Sequence, residues 1–312
     1  MKQLSYEMFT KIEANILKTA RPLEIAKFKY LFFDGEKQAI ETELLKYQNE
    51  DGGFGNGLEI DTVTPESSAL CASEAIKLAE DYHLDMEAEW VKKLLFWLET
   101  NASNSPSFWD LVPKSLENYP HMPYLKYRPD TVFTPHVCAI FVPALILYGT
   151  PSQVSLGEEI LECCENFIKT NQPSWHFEIM FLQRMYLSLK VAKYSFNEKL
   201  FLDYIKDKVA EMMCTDESKW LKFVALPLDL VQSPKMPWSY GYEIAVEKNI
   251  DYLIDTLRED GTWKYKDSWD TSTAPLRQIA SNWSGYHAVK KIYLLKEFGA
   301  IEQTSLLWKT CS

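Results

Sequence analysis

Three aspartates stand in the same local setting. Asp61, Asp130 and Asp270 each open a short segment, "DTVTPES", "DTVFTPHV" and "DTSTAPLR", in which Asp-Thr is followed by a further Thr and then by Pro. Thr before Pro is a helix-start signal, the hydroxyl capping free N–H groups and Pro occupying the first helical position. Read blandly, these are three capped helices. A carboxylate just upstream of each also lies near the positive end of that helix, where it can hold or move a proton. Asp61 and Asp130 are therefore candidate catalytic residues, and Asp270 is a candidate contact for substrate.

Other chemistry-bearing residues gather near similar junctions. His136 and Cys138 are two apart, so a helix does not bring them to one face and they do not form a ligand pair. In "WHFE", His176 and Glu178 follow Trp175 where a turn gives way to a helix, which can present them at the mouth of a cavity. A lone His is more often a hydrogen-bonded structural residue than a metal ligand, and no metal set is read from the sequence. Glu74 is a charge within the otherwise small "SALCASEAIKLA"; it either faces a cavity or pairs at an interface. His136, Trp109, Trp175, His176 and Glu178 are carried forward as candidate substrate contacts.

The elements that must position these groups are helices of two kinds. One kind is amphipathic: residues 37–48, 158–168 and 247–257 carry apolar side chains at i, i+3, i+4 and i+7 with charges between. The other kind is apolar or small nearly all round: 66–79, 137–148 and 179–189, with 286–295 less clean because of Lys290 and Lys291. A helix without a polar face must be surrounded by protein. The two kinds alternate along the chain, as a closed ring or an open solenoid of helical hairpins requires. An aromatic residue is planted in the turn before each inner segment: Phe54 after "EDGG", Trp109 after "SNSPSF", Trp175 after "NQPS" and Trp263 after "EDGT". Stacked hairpins bring equivalent turns to one end, so Asp61, Asp130 and Asp270 are expected on a shared rim.

Composition narrows the partners. A formal charge of −11 and the lack of clustered Lys and Arg argue against nucleic acid. The most apolar run, "VCAIFVPALILYG", is too short to span a bilayer, and the N-terminus lacks the continuous apolar stretch of a signal peptide. The six Cys include no C-x-x-C, and Cys163 and Cys164 are adjacent, so free thiols in a reducing cytoplasm are expected.

"LLKYQNEDGGFGNGLEIDTVTPESSA" resembles the repeat of the terpene cyclase and protein prenyltransferase superfamily. Gln48, Asp51, Gly52, Gly53 and Phe54 match its Q-x-x-D-G-G-[FW] core, and "LREDGTWKY" from Leu257 is a second, partial match without the Gln. The resemblance implies an all-α fold, an (α/α) toroid of about five to six helical hairpins, with residues 1–312 as a single domain. It also implies chemistry on an isoprenoid. Class II terpene cyclases protonate an alkene with the middle Asp of a D-x-D-D motif at the start of an inner helix. The matching segment is Glu59-Ile60-Asp61-Thr62, with Glu first and without the adjacent second Asp. Asp61 is the nearest match to the acid and Glu59 joins it as a candidate catalytic carboxylate, since a neighbouring like charge is one way to keep an acid protonated. No zinc set of the prenyltransferase kind maps onto the chain, and no cofactor is implied.

Three functions fit. An isoprenoid enzyme acting on a small-molecule or lipid-like substrate needs an aromatic cavity with rim carboxylates as acid and base. A carbohydrate hydrolase or lyase on an (α/α) barrel needs an open groove with paired carboxylates. A non-catalytic toroid would bind lipid or peptide. In all three, Gly52 and Gly53 are expected to turn the chain at a helix end, with Gln48 and Phe54 clasping that turn.

Overall fold

The computed structural model describes residues 1–170, 175–263 and 272–302, so Asp270 lies outside the described residues. Within them the chain is all-helical. The helices are α1 (Tyr6–Thr19), α2 (Pro22–Phe32), α3 (Lys37–Leu44), α4 (Ala69–Asp81), α5 (Glu89–Asn101), α6 (His136–Tyr148), α7 (Pro151–Lys169), α8 (His176–Val191), α9 (Glu198–Met212), α10 (Pro227–Leu230), α11 (Glu243–Asp255) and α12 (Ala274–Glu297). Extended pairing among the described residues is confined to isolated bridges. No helix among them is long and apolar enough to cross a membrane.

Burial follows the two helix kinds read from the sequence at α4 and α6 but not at α8, where Met180, Phe181, Arg184, Leu187 and Ser188 are half-buried. On α6 every side chain from Val137 to Ile146 is buried, and on α4 only a stripe through Leu70, Glu74, Lys77, Glu80 and Asp81 reaches solvent. By contrast α5, α7 and α11 bury one face each, for instance Val246, Asn249, Ile250 and Leu253 on α11. An apolar helix with no polar face is stable only when covered on all sides, which its one-faced neighbours supply.

The chain divides into two compact units, Leu44–Glu211 and a discontinuous unit of Met1–Glu43 with Met212–Ser312. In the continuous unit α6 packs against α4, α7 and α8. Lys77 of α4 sits over the Phe181 ring of α8, and one turn further along both helices Glu80 receives Arg184 and Ser188. Contacts that advance together on both helices make α4 and α8 parallel. His136, the first residue of α6, meets the same Phe181 ring edge-on at 4.9 Å. In the discontinuous unit α12 packs on α1 and α2, and Leu4 pairs with Ile301.

The glycine-rich turn from Gln48 to Phe54 has the expected form. Gly52 adopts φ +90°, and a Cβ there would stand 2.6 Å from the Lys93 carbonyl oxygen of α5. The Gln48 amide donates to the carbonyls of Gly52 and Trp90, both at 2.9 Å. Phe54 is fully buried, edge-on to Trp90. The partial match at Leu257–Trp263 is the same turn. Asn49 N–H donates to Gly53 O and Arg258 N–H to Thr262 O; Gly52 N–H returns to Asn49 O and Gly261 N–H to Arg258 O. Asp51 and Asp260 each accept from the amide two residues on. Gly261 has φ +79°, pressed against Lys11 of α1 as Gly52 is against α5.

Two helix starts depart from the sequence reading. Thr64 and Thr134 do not cap: α4 begins after Ser68, whose hydroxyl accepts from Cys71 N–H, and α6 begins after Pro135 with no side-chain cap. The Thr64 hydroxyl is instead engaged with that of Thr62 at 2.6 Å, and the Pro65 carbonyl accepts from Asn49. Pro65 thus belongs to a strap over the glycine turn, closed by Ser68 N–H to Phe54 O. The third segment behaves as expected, with Thr273 capping α12 and Pro275 in its first turn.

Candidate active site

The strap and the glycine turn together deliver a carboxylate pair. Gly57, at φ +76°, bends the chain after Phe54, and the segment that follows buries both Glu59 and Asp61 just before α4. A second loop fixes this segment from the other side. Met122 N–H donates to Asp61 O, Val63 N–H donates to Pro120 O, and Thr62 pairs with His121. This short ladder holds Tyr124 so that its hydroxyl donates to Asp61 Oδ1 at 2.7 Å, although the residue is 59% exposed.

Glu59 is the unusual group. Burial pushes its carboxyl well above the ordinary glutamate range, and the charges of Asp61 and Glu74 push it further; Lys77 offsets them only in part. Its proton affinity is thus raised beside Asp61, which accepts a phenol hydrogen bond. Glu74 and Lys77, one turn apart on the accessible stripe of α4, form an ion pair. The pair also borders His136, whose imidazole is driven down to about 4, chiefly by burial and then by Lys77. His136 is accordingly neutral at physiological pH. Glu74 and Lys77, midway along α4, thus lie between the Glu59–Asp61–Tyr124 group and His136 at the start of α6.

The remaining candidates fall elsewhere. Asp130 is half-buried and lies beside Cys138, whose thiol burial and then Asp130 push upward. Trp109 is buried against Phe141, and its indole N–H donates to the Leu98 carbonyl near the end of α5. Trp263 does the same to Leu253 at the end of α11, so both indoles satisfy carbonyls that a helix end leaves unpaired. Trp175 breaks the pattern of buried turn aromatics: it is 64% exposed. His176 packs its ring on Phe177, and Glu178 is buried, its carboxylate accepting the Trp175 N–H; burial holds its pKa above the ordinary range. Glu178 therefore closes the start of α8.

Sequence reasoning missed Tyr124, Lys77 and Phe181. Lys77 had a signal, its i+3 spacing from Glu74. Tyr124 had none, because its tie is to a residue 63 positions away. Among the described residues no three His, Cys, Asp or Glu side chains are gathered so as to hold a metal ion. The cysteines at 71, 138, 163, 164 and 214 are free thiols.

Neither a comparison with models of known protein families nor one with curated proteins finds a match for this chain.

Proposed function

We propose that the chain is an (α/α) toroid whose carboxylate pair before α4 performs acid catalysis on an isoprenoid-like substrate. The toroid reading draws support from the two equivalent glycine turns, the alternation of all-round and one-faced burial, and the packing of α12 on α1 and α2. The observation that carries the catalytic reading is the raised proton affinity of Glu59 beside Asp61. In this reading Glu59, not Asp61, is the acid, and Asp61 is the like charge that keeps it protonated. Glu59 adds its proton to one carbon of a C=C bond, the π electrons forming the new C–H bond. A carboxylate and a carbocation result. Neutral His136 is the acceptor that removes a proton from a neighbouring carbon, whose C–H electrons form the new alkene.

An apolar substrate is favoured by the side chains left open beside the carboxylates. Val63 and Tyr124 lie on the ladder that holds Asp61, and both are exposed. The test is a turnover screen of polyprenyl alcohols, their diphosphates and oligosaccharides with wild type, Glu59→Gln and Asp61→Asn. Turnover of a polyprenyl compound is expected in wild type, lost by at least about 100-fold in Glu59→Gln, as removal of a general acid implies. Cleavage of an oligosaccharide instead would replace the isoprenoid reading with the barrel hydrolase. Undiminished turnover in Glu59→Gln would remove Glu59 from the chemistry altogether.

A further inference from the structure

We propose that Lys77 is a positioning residue whose ammonium, held between the Glu74 carboxylate and the Phe181 ring, is the shared counter-charge of the acid and the base at this site. The proposal rests on the reading of Glu59 as the acid and His136 as the acceptor, and adds to it the group that couples them. Glu74 and Lys77 are an i, i+3 pair on α4, with side chains 20% and 17% exposed. An ion pair on a solvated helix surface contributes little to stability. Water covers this one only in part, so its field reaches further than that of a surface pair.

The Phe181 ring fixes where that field acts. Lys77 Nζ lies over the ring, 5.1 Å from its centroid, and the His136 ring meets the same ring at 4.9 Å and 73°. One rigid plate therefore spaces ammonium and imidazole, with no more than about 10 Å between them, and a cation at that range disfavours protonation of the imidazole. From α4, Lys77 opposes a proton on His136 and Glu74 favours one, with Lys77 the stronger of the two. On α8, Arg184 stands one turn beyond Phe181 and is engaged with the Lys77 carbonyl, Glu80 and Asp81. From α7 the thiol of Cys164 acts on Cys138, two residues past His136.

The same ammonium reaches Glu59 from the other side. Glu59 is faced by Asp61 from its own segment and by Glu74, Lys77 and the Cys71 thiol from α4, and it acts in turn on the Tyr124 phenol. Of these groups Lys77 is the cation, and it favours the carboxylate form. Once Glu59 has given up its proton, its new negative charge stands near a cation already in place, a stabilisation that costs no reorganisation during the reaction. His136 meanwhile is kept neutral and so able to accept a proton. One charge thus eases proton loss from the acid and preserves the accepting form of the base.

Both groups can be followed without a substrate. Protein labelled with 13C at Glu Cδ and 15N in the His rings is titrated by NMR, with Glu59→Gln and His136→Gln supplying the assignments. In wild type, His136 is expected to titrate at about 4 and Glu59 well above the ordinary glutamate value. In Lys77→Met, which keeps an unbranched stem against the ring, both midpoints should rise by on the order of one pH unit. The shared direction is the diagnostic. Mere loosening would return both groups towards water and move them oppositely, His136 up and Glu59 down. Lys77→Arg, which keeps the charge, should hold both near wild type, and a shift there as large as in Lys77→Met would overturn the proposal. Should Lys77→Met fail to fold, the double variant Glu74→Gln/Lys77→Gln is compared with Glu74→Gln alone, which isolates the same charge without stranding a carboxylate. Both midpoints should again be higher in the double variant. Unmoved midpoints, or midpoints that move in opposite directions, overturn the proposal in either comparison. A wild-type Glu59 already ionised at neutral pH would refute the acid reading separately, and a joint rise on removal of Lys77 would still sustain its role as the counter-charge.

Discussion

Glu59 and His136 make opposite demands on pH. Glu59 has a folded pKa above the ordinary value of 4.5, so above that pH the native state holds a proton that the unfolded chain releases. Stability contributed by this group is therefore full below about 4.5 and is lost as pH rises towards the folded pKa. His136 runs the other way: with a folded pKa of about 4 against 6.5, its contribution is present above 6.5 and lost as pH falls towards 4. Glu59→Gln is expected to gain stability relative to wild type as pH increases through the neutral range. His136→Gln is expected to lose less than wild type between pH 6.5 and 4. Urea melts at a series of pH values check both, and parallel curves for wild type and Glu59→Gln would show that the carboxyl is ionised in the native state. The pair Glu59–Asp61 was legible in the sequence because its members are two residues apart. The raised proton affinity of Glu59 was not, since it depends on burial and on Glu74 and Lys77, brought in from α4.

At the scale of elements, the glycine turn shows why a short motif can be read so well. The hydrogen bonds that define it, Asn49 N–H to Gly53 O, Gly52 N–H to Asn49 O and Gly53 N–H to Asp51, close within the turn itself, and the second copy repeats them although only one carries the Gln. In the second copy Trp263 replaces Phe54, and its indole N–H ties the turn back to Leu253. Phe54→Ala should destabilise by about 3–5 kcal/mol, the range for emptying a fully buried aromatic site. Gly52→Ala and Gly261→Ala should both be strongly destabilising, since each has positive φ and a backbone carbonyl within 2.6 Å of the added Cβ. If thermal melts show Gly261→Ala to be harmless, the two turns are not equivalent. Helix kind was legible at α4 and α6, because periodicity is local, but not at α8, whose open side carries Met180, Phe181 and Leu187. The starts of α4 and α6 were not. Thr64 carries a sound capping signature, but the strap that engages Pro65 is created by the packing of residues 49–55 against 65–68, which no single segment displays.

At the scale of the molecule, the discontinuous unit joins the two distant parts of the sequence through α1, α2 and α12. Leu4 is fully buried there, with Leu4 N–H donating to Ala300 O and Glu302 N–H donating to Leu4 O. Leu4→Ala should cost about 2–5 kcal/mol, with hydrogen exchange accelerated in α1 and in α12 together. Acceleration in α1 alone would mean that the bridge does not couple them. The same arrangement has a temporal side. Residues 44–211 are contiguous and can fold as soon as they leave the ribosome. The side of α1 that packs on α12 must wait for it, more than two hundred residues later, on the order of tens of seconds at ordinary translation rates. Phe9 meets Phe28 and Phe32 of α2 at once, but throughout that interval the face of the α1–α2 pair that α12 covers stays open. Synthesis speed and chaperone supply, rather than the final stability of the fold, should therefore govern how much of this protein reaches its native state.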